Sequence, residues 1–202
     1  SNPSSGHIHP GLPPEARNLD VRNSRTPQKS QNRTLSKIHL MITRPAMRAE
    51  DNPTIQKLRG QFADAIEEVS TFRDELTVWI QPDALIPICR FLRDDEELRY
   101  NFLMDLTSVD YPEQEKRFTV VYHLYSLPYN CRLRLKAKVG GNPPAVDSVT
   151  SIWNSANWLE REVFDLMGIH FRGHPDLRRI VLPDDWQGHP LRKDYPLRGP
   201  EG

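Results

Sequence analysis

Apolar residues recur at steps of three and four at Ile55, Leu58, Phe62, Ile66 and Val69, the spacing of one stripe on a helix that begins near Pro53. Leu76, Val78 and Ile80 then alternate with Thr77, Trp79 and Gln81, as in a half-buried strand. Pro82-Asp83 opens a second helix with Leu85, Ile88, Cys89 and Leu92 on one face. Pro87 lies inside that pattern and predicts a late start or a bend.

Three further strands follow. Phe102 to Val109 ends in Asp110-Tyr111-Pro112, and the β-branched and aromatic run Arg117 to Leu127 comes after a short hairpin loop, Pro112 to Lys116. Pro128 to Asn130 turns the chain into Arg132 to Val139. There Leu133, Leu135, Ala137 and Val139 face one way, and Arg132, Arg134, Lys136 and Lys138 the other. This pattern predicts an α+β fold: a mainly antiparallel sheet whose apolar face is covered by helices. Gly140 to Pro144 breaks the sheet, and Val146, Val149 and Ile152-Trp153 stand at helical spacing. A helix from about Asn157 to Met167 buries Leu159, Val163, Leu166 and Met167 and stops at Gly168. Beyond it Pro175, Pro183, Pro190, Pro196 and Pro200 exclude a continuous helix or central strand, leaving an extended, irregular C-terminal strap.

Ahead of these elements, residues 1–50 are rich in Pro, Ser, Asn and Arg and poor in apolar residues, which predicts a disordered extension. Glu15, Asp20 and the prolines fit a targeting helix badly, and Met41 or Met47 is a candidate natural start. The chain thus divides into an extension over 1–50, an α+β domain over 51–157, and a helix with a docking strap over 158–202.

Charge narrows the classes of function. The 202 residues hold 27 basic and 27 acidic side chains, a balance that argues against nucleic-acid binding, which needs a basic excess. No apolar run approaches the roughly 18 residues that cross a membrane. Cys89 and Cys131 are too few for an iron–sulfur cluster or a structural zinc site and read as reduced residues in or beside a core. The basic face of the strand at 132–138 reads as solvated, with an acidic partner as the alternative.

The densest chemistry lies after Trp158. His170 and His174 would share a metal only on a helix, which Gly173 and Pro175 oppose. His174 and His189 would serve as bases only with orienting partners, and Asp176 and Asp194 are near them only in sequence. The alternative is that each His-Pro fixes a turn, its ring bonded to backbone or to a partner. Glu160 and Glu162 stand two apart on a helix, so they point in different directions and do not form a carboxylate pair. An ion-pair network with Arg161, Arg178 or Arg179 is predicted instead, as is an Arg161–Asp165 pair on the exposed side of the helix.

The run Glu160-Arg161-Glu162-x-x-Asp165-Leu166-x-Gly168 continues into Gly173-His174-Pro175-Asp176-Leu177-Arg178-Arg179 and Gly188-His189-Pro190-Leu191-Arg192-Lys193-Asp194-Tyr195-Pro196. This resembles the C subunit of the proton-pumping NADH:quinone oxidoreductase, respiratory complex I. The similarity extends back through Asp105 to Tyr111 and covers roughly residues 75 to 197. It implies a non-catalytic subunit of the peripheral arm, on the cytoplasmic face of the bacterial inner membrane, with no cofactor of its own. FMN, Fe-S clusters, NADH and quinone would belong to the rest of the complex, and the membrane would be met only through it. The implied partners are the D subunit, which helps form the quinone site, and the neighbouring Fe-S subunits. The expected interface residues are Glu160, Arg161, Glu162, Asp165, His174, Asp176, Arg178, Arg179, His189, Arg192, Lys193 and Asp194. Arg178, Arg179, Arg192 and Lys193 would be paired either with that partner or within the chain. Two alternatives stand beside this: the equivalent subunit of a membrane-bound energy-converting hydrogenase, and a stand-alone enzyme using His174 or His189.

Overall fold

A computed structural model describes residues 49–198. The expectation of disorder over 1–50 falls almost wholly outside the described residues. Helix α1 (Pro53–Phe62) starts where Asn52 accepts a hydrogen bond from the Thr54 N–H at 2.9 Å and Pro53 takes a position that needs no donor. Its stripe stops earlier than the spacing predicts. After a short turn at Ala63–Ala65 the chain enters strand β1 (Ile66–Phe72), so Ile66 and Val69 lie in a sheet. β1 pairs antiparallel with β2 (Glu75–Ile80) across Arg73 and Asp74, both at positive φ (50° and 64°). The β-branched pair Val69 and Thr71 suits a strand, and pairing with β2 overrides an apolar spacing that fits a helix equally well.

Helix α2 (Leu85–Asp94) begins after a 3-10 turn at Pro82–Ala84, which leaves Pro87 in its first turn where no backbone donor is required. Strands β3 (Phe102–Asp110), β4 (Phe118–Ser126) and β5 (Cys131–Val139) form the predicted antiparallel meander. The sheet as a whole is mixed, in the order β1-β2-β5-β4-β3, because β2 lies parallel to β5. Register aligns one apolar face: Val78, Leu135 and Tyr122 are neighbours across three strands, as are Leu124 and Leu133 across two. With Ile55 and Leu58 of α1 and Leu85, Ile88, Cys89 and Leu92 of α2 they make one buried core. On the other face the Lys136 and Lys138 ammonium groups lie 4.8 and 5.2 Å from the Trp79 ring centre, and Arg134 pairs with Glu75.

The segment read as helical around Val146 is instead strand β6 (Ala145–Asp147), parallel to β7 (His170–Arg172), followed by turns. Prolines precede it, and the Ser148 hydroxyl accepts from the Thr150 N–H at 3.2 Å, a local bond that competes with helix. Helix α3 (Ala156–Met167) ends at Gly168, whose φ of 70° makes it a left-handed cap. Among the described residues no helix is long and apolar enough to cross a membrane.

Candidate functional site

Helix α3 carries two buried carboxylates that point into the chain and not onto its surface. Glu160 has no accessible area. Its Oε2 accepts from the Ser148 hydroxyl at 2.6 Å and its Oε1 from the Val149 N–H at 2.7 Å. These bonds clasp the turn after β6 onto the helix. The predicted ion pair of Glu160 with Arg161, Arg178 or Arg179 is not formed. Burial dominates and pushes the Glu160 carboxyl up to about 7, although both hydrogen bonds favour its charged form.

Asp165 is equally buried but differently served. Its Oδ2 accepts from the N–H groups of Ile180, Val181 and Leu182 at 3.0, 2.8 and 2.9 Å, and Arg179 bonds to Oδ1 at 2.5 Å. Burial alone would raise this carboxyl. The three backbone donors and the Arg179 guanidinium outweigh burial and hold it below the ordinary carboxylate range. Arg161 is buried as well and donates to the carbonyls of Arg178 and Arg179 at 3.2 and 3.1 Å. The predicted Arg161–Asp165 pair on the helix surface is therefore replaced. Each of the two charges captures strap backbone, one taking its donors and the other its acceptors.

The remaining strap contacts follow the same logic. Arg179 also reaches the carbonyls of Trp186 and Gly188 at 3.1 and 3.2 Å. His174 accepts the Asp176 N–H on Nδ1 at 3.0 Å, so its Nε2 carries the proton and donates to the Asn157 carbonyl at 3.1 Å. The His189 Nδ1 meets the Asp165 carbonyl at 2.8 Å, and burial lowers its basicity. Arg192 donates to the Met167 carbonyl at 2.7 Å and to that of Gly168 at 3.3 Å, a cation set at the negative end of α3. A side chain at Gly168 would overlap His189 and Arg192, so glycine is needed there for space as well as for its φ.

A second anchor was not legible in the chain. Arg117, in the β3–β4 loop, grips both oxygens of buried Asp110 at 2.6 and 2.7 Å and reaches Asp194 at 2.8 Å. The Lys193 N–H closes the set on Asp110 Oδ2 at 2.8 Å. The Arg117 bond, more than any other contact, keeps the Asp110 carboxyl low. This set joins residues far apart in the chain, so spacing carried no sign of it.

Of the residues expected at a docking surface, Glu160 and Asp165 are thus interior, and Arg161, Arg179, His174, His189 and Arg192 are held by the chain's own backbone. Glu162, Asp176, Arg178, Lys193 and Asp194 are exposed. Beside them stand apolar side chains the pattern did not single out as exposed: Trp158 at 63%, Val181 at 56%, Trp186 at 39% and Leu191 at 59%. Among the described residues no three His, Cys, Asp or Glu side chains converge as a metal set.

Residues 78–201 match the family described as respiratory-chain NADH dehydrogenase, 30 Kd subunit. The chain is 56% identical over 154 residues to the C subunit of the NADH-quinone oxidoreductase of Geobacter sulfurreducens, a match spanning 76% of this chain and 94% of that one. To the corresponding C subunit of Roseiflexus castenholzii it is 50% identical over 154 residues, covering 76% and 88%. Among solved structures, a trypsin-resistant fragment of Nqo5 superposes with a TM-score of 0.52 at 32% identity, over 61% of this chain and 99% of the fragment. A chain of the archaeal membrane-bound sulfane sulfur reductase gives a TM-score of 0.61 at 21% identity over 71% and 84%, a likeness of fold alone.

Proposed function

The chain belongs to the family of the 30 Kd subunit of respiratory-chain NADH dehydrogenase, a component of the NADH-quinone oxidoreductase complex (complex I), and we propose that within the peripheral arm it is a non-catalytic scaffold. It holds its neighbours in register while electrons pass from NADH through FMN and Fe-S clusters to quinone. The observation that carries this reading is the division of labour at α3. The polar side chains fasten the strap inward, and Trp158, Arg178, Val181 and Trp186 are left on the outside. Trp and Arg are the residue types that dominate interface energies, and a strap already frozen in shape loses less freedom on docking. The D subunit and the adjoining Fe-S subunits are the partners this surface would meet, with Glu162, Asp176, Lys193 and Asp194 as its polar rim.

The two cysteines do not suit a cluster. Cys89 is buried in the core with its thiol pushed up by desolvation, and Cys131 sits at the start of β5 against the Tyr100 hydroxyl. A cluster asks for four thiolates, which supports a reading in which the Fe-S clusters are carried by other subunits. The membrane would be reached only through the complex, on the cytoplasmic face. The hydrogenase alternative is not favoured, since the relatives at 50% identity or more are subunits of the NADH enzyme. An enzyme using His174 is disfavoured because both nitrogens of that ring are engaged by backbone, and His189 has its Nδ1 on the Asp165 carbonyl, with no carboxylate side chain bonded to the ring. The test is affinity purification of the tagged chain from gently solubilised membranes, followed by a native gel stained for NADH dehydrogenase activity. Migration in a large NADH-active band is expected. A free monomer, or a large band without that activity, would overturn the assignment.

A further inference from the structure

Among the described residues α1 and α2 pack on one face of the sheet, the face of Val78, Leu135 and Tyr122. The opposite face carries Arg132, Arg134, Lys136 and Lys138 on the middle strand, β5. A face that only meets water turns polar residues outward. This face departs from that rule at one end, where Phe72, Phe102 and Met104 are 70%, 45% and 42% exposed. The register gathers them. Phe72 stands opposite Glu75, Phe102 opposite Tyr125, and Tyr125 opposite Arg132. The line crosses five strands, about 20 Å. Phe, Tyr, Met and Arg are the residue types enriched where proteins meet.

A pocket of about 280 Å³ opens in this line, with Glu75, Met104, Asp105, His123, Arg132 and Arg134 in its lining. Most of its charges are already engaged. Arg134 pairs with Glu75 and reaches the Thr77 hydroxyl at 3.3 Å. Asp105 Oδ1 accepts the Leu106 N–H at 2.9 Å. Farther along β5, Lys136 and Lys138 lie over the Trp79 ring, and Lys138 also meets Glu67 at 3.7 Å. Arg132 differs from these three cations. It is exposed and, among the described residues, has no hydrogen bond, ion pair or ring contact. His123, between Arg134 and Asp105 in the register, has no hydrogen bond either. Burial and the nearby Arg134 lower its basicity, so at pH 7 its neutral ring offers an N–H. An unpaired guanidinium beside a free N–H suits a carboxylate, which takes both donors.

Resting on the assembly reading above, we propose that this face is a second docking surface, which receives an acidic segment of a neighbouring subunit: an Asp or Glu side chain enters the pocket against Arg132 and His123, and apolar side chains beside it cover Phe102 and Met104. Charge sets the chain's own leading segment apart from this occupant, since residues 1–48 hold eight Lys or Arg against Glu15 and Asp20 alone. The guanidinium fork fixes the direction from which the carboxylate enters, and the apolar rim keeps water from the pair.

The experiment replaces Met104 by p-benzoylphenylalanine in the tagged full chain and irradiates the NADH-active complex after purification. Mass spectrometry then identifies the crosslinked peptide. Expected is one segment of another subunit that contains Asp or Glu. Crosslinks confined to this chain or to a second copy of it, a segment without an acidic residue, or no crosslink at all overturns the inference. Arg132→Gln gives the second readout: assembled complex should fall about tenfold, with the melting of the purified chain unchanged. Normal assembly of Arg132→Gln overturns the proposal while leaving the scaffold reading intact. A fall in melting temperature alongside assembly marks Arg132 as structural and overturns it too. If the unaltered chain never enters the NADH-active band, the scaffold reading fails first and this inference falls with it.

Discussion

Glu160 and Asp165 are one and a half turns apart on the same helix, both without accessible area, yet their carboxyls shift in opposite directions. The cause is the count of donors. Asp165 is served by three N–H groups and a guanidinium, whereas Glu160 has one hydroxyl and one N–H. The sign of the pH effect follows. Because folding raises the Glu160 carboxyl to about 7, its contribution is complete below its unfolded value and is lost as pH rises through about 7. The loss is roughly 3 kcal/mol at pH 8, from 1.36 kcal/mol per unit. Glu160→Gln keeps the shape and removes the titration. Urea melts at pH 4 and pH 8 should show equal stability at the lower pH and a more stable variant at the higher. A parallel pH dependence in both proteins would refute this role for Glu160. The lowered aspartates Asp165 and Asp110 act in the other window, losing stability only as pH falls below the ordinary carboxylate range.

At the scale of elements, the strap has almost no ladder of its own, yet its backbone is paired. Asp165 takes its donors at 180–182, Arg161 its carbonyls at 178–179, and Leu166 accepts the Leu191 N–H at 3.1 Å. A buried charge that gathers backbone groups does here what a neighbouring strand does in a sheet. Asp165→Ala leaves three N–H groups without a partner and takes from Arg179 its one carboxylate, leaving it only carbonyls, a loss of roughly 3 to 5 kcal/mol. The expected result is local. Amide exchange at Ile180, Val181 and Leu182 should speed up steeply while β4 and β5 stay protected. Unchanged exchange at those three positions would show that Asp165 is not what holds the strap.

At the scale of the molecule, inward and outward residues should separate experimentally. Among the described residues Arg178 pairs only with exposed Asp176, so Arg178→Ala should change the stability of the chain by less than about 0.5 kcal/mol. Trp158 is 63% exposed but its ring lies 5.3 Å from the Arg161 guanidinium, so Trp158→Ala should cost no more than about 1 kcal/mol. Both should nonetheless lower the amount of assembled complex on a native gel. Asp165→Ala should lower assembly and the melting temperature together. If Trp158→Ala and Arg178→Ala assemble normally, the docking surface lies elsewhere on the chain.

Much of this was legible in the chain itself. Strict alternation at 132–138 determined a strand and its two faces, because side chains on a pleated backbone repeat every second residue. Gly168 and the later prolines determined where α3 ends and that no helix follows, since each restricts the backbone locally. The run from Glu160 to Pro196 carried the family resemblance. Spacing could not tell that Val69 belongs to a hairpin or that β2 lies beside β5, because periodicity states which face a residue takes and not which strand it meets. Nor could it tell that Glu160, Arg161 and Asp165 turn inward. A charge is buried only where folding brings enough donors or acceptors to meet it, and here they come from Ser148 and Val149 before the helix and from residues 178–182 after it. That meeting exists only in the tertiary structure.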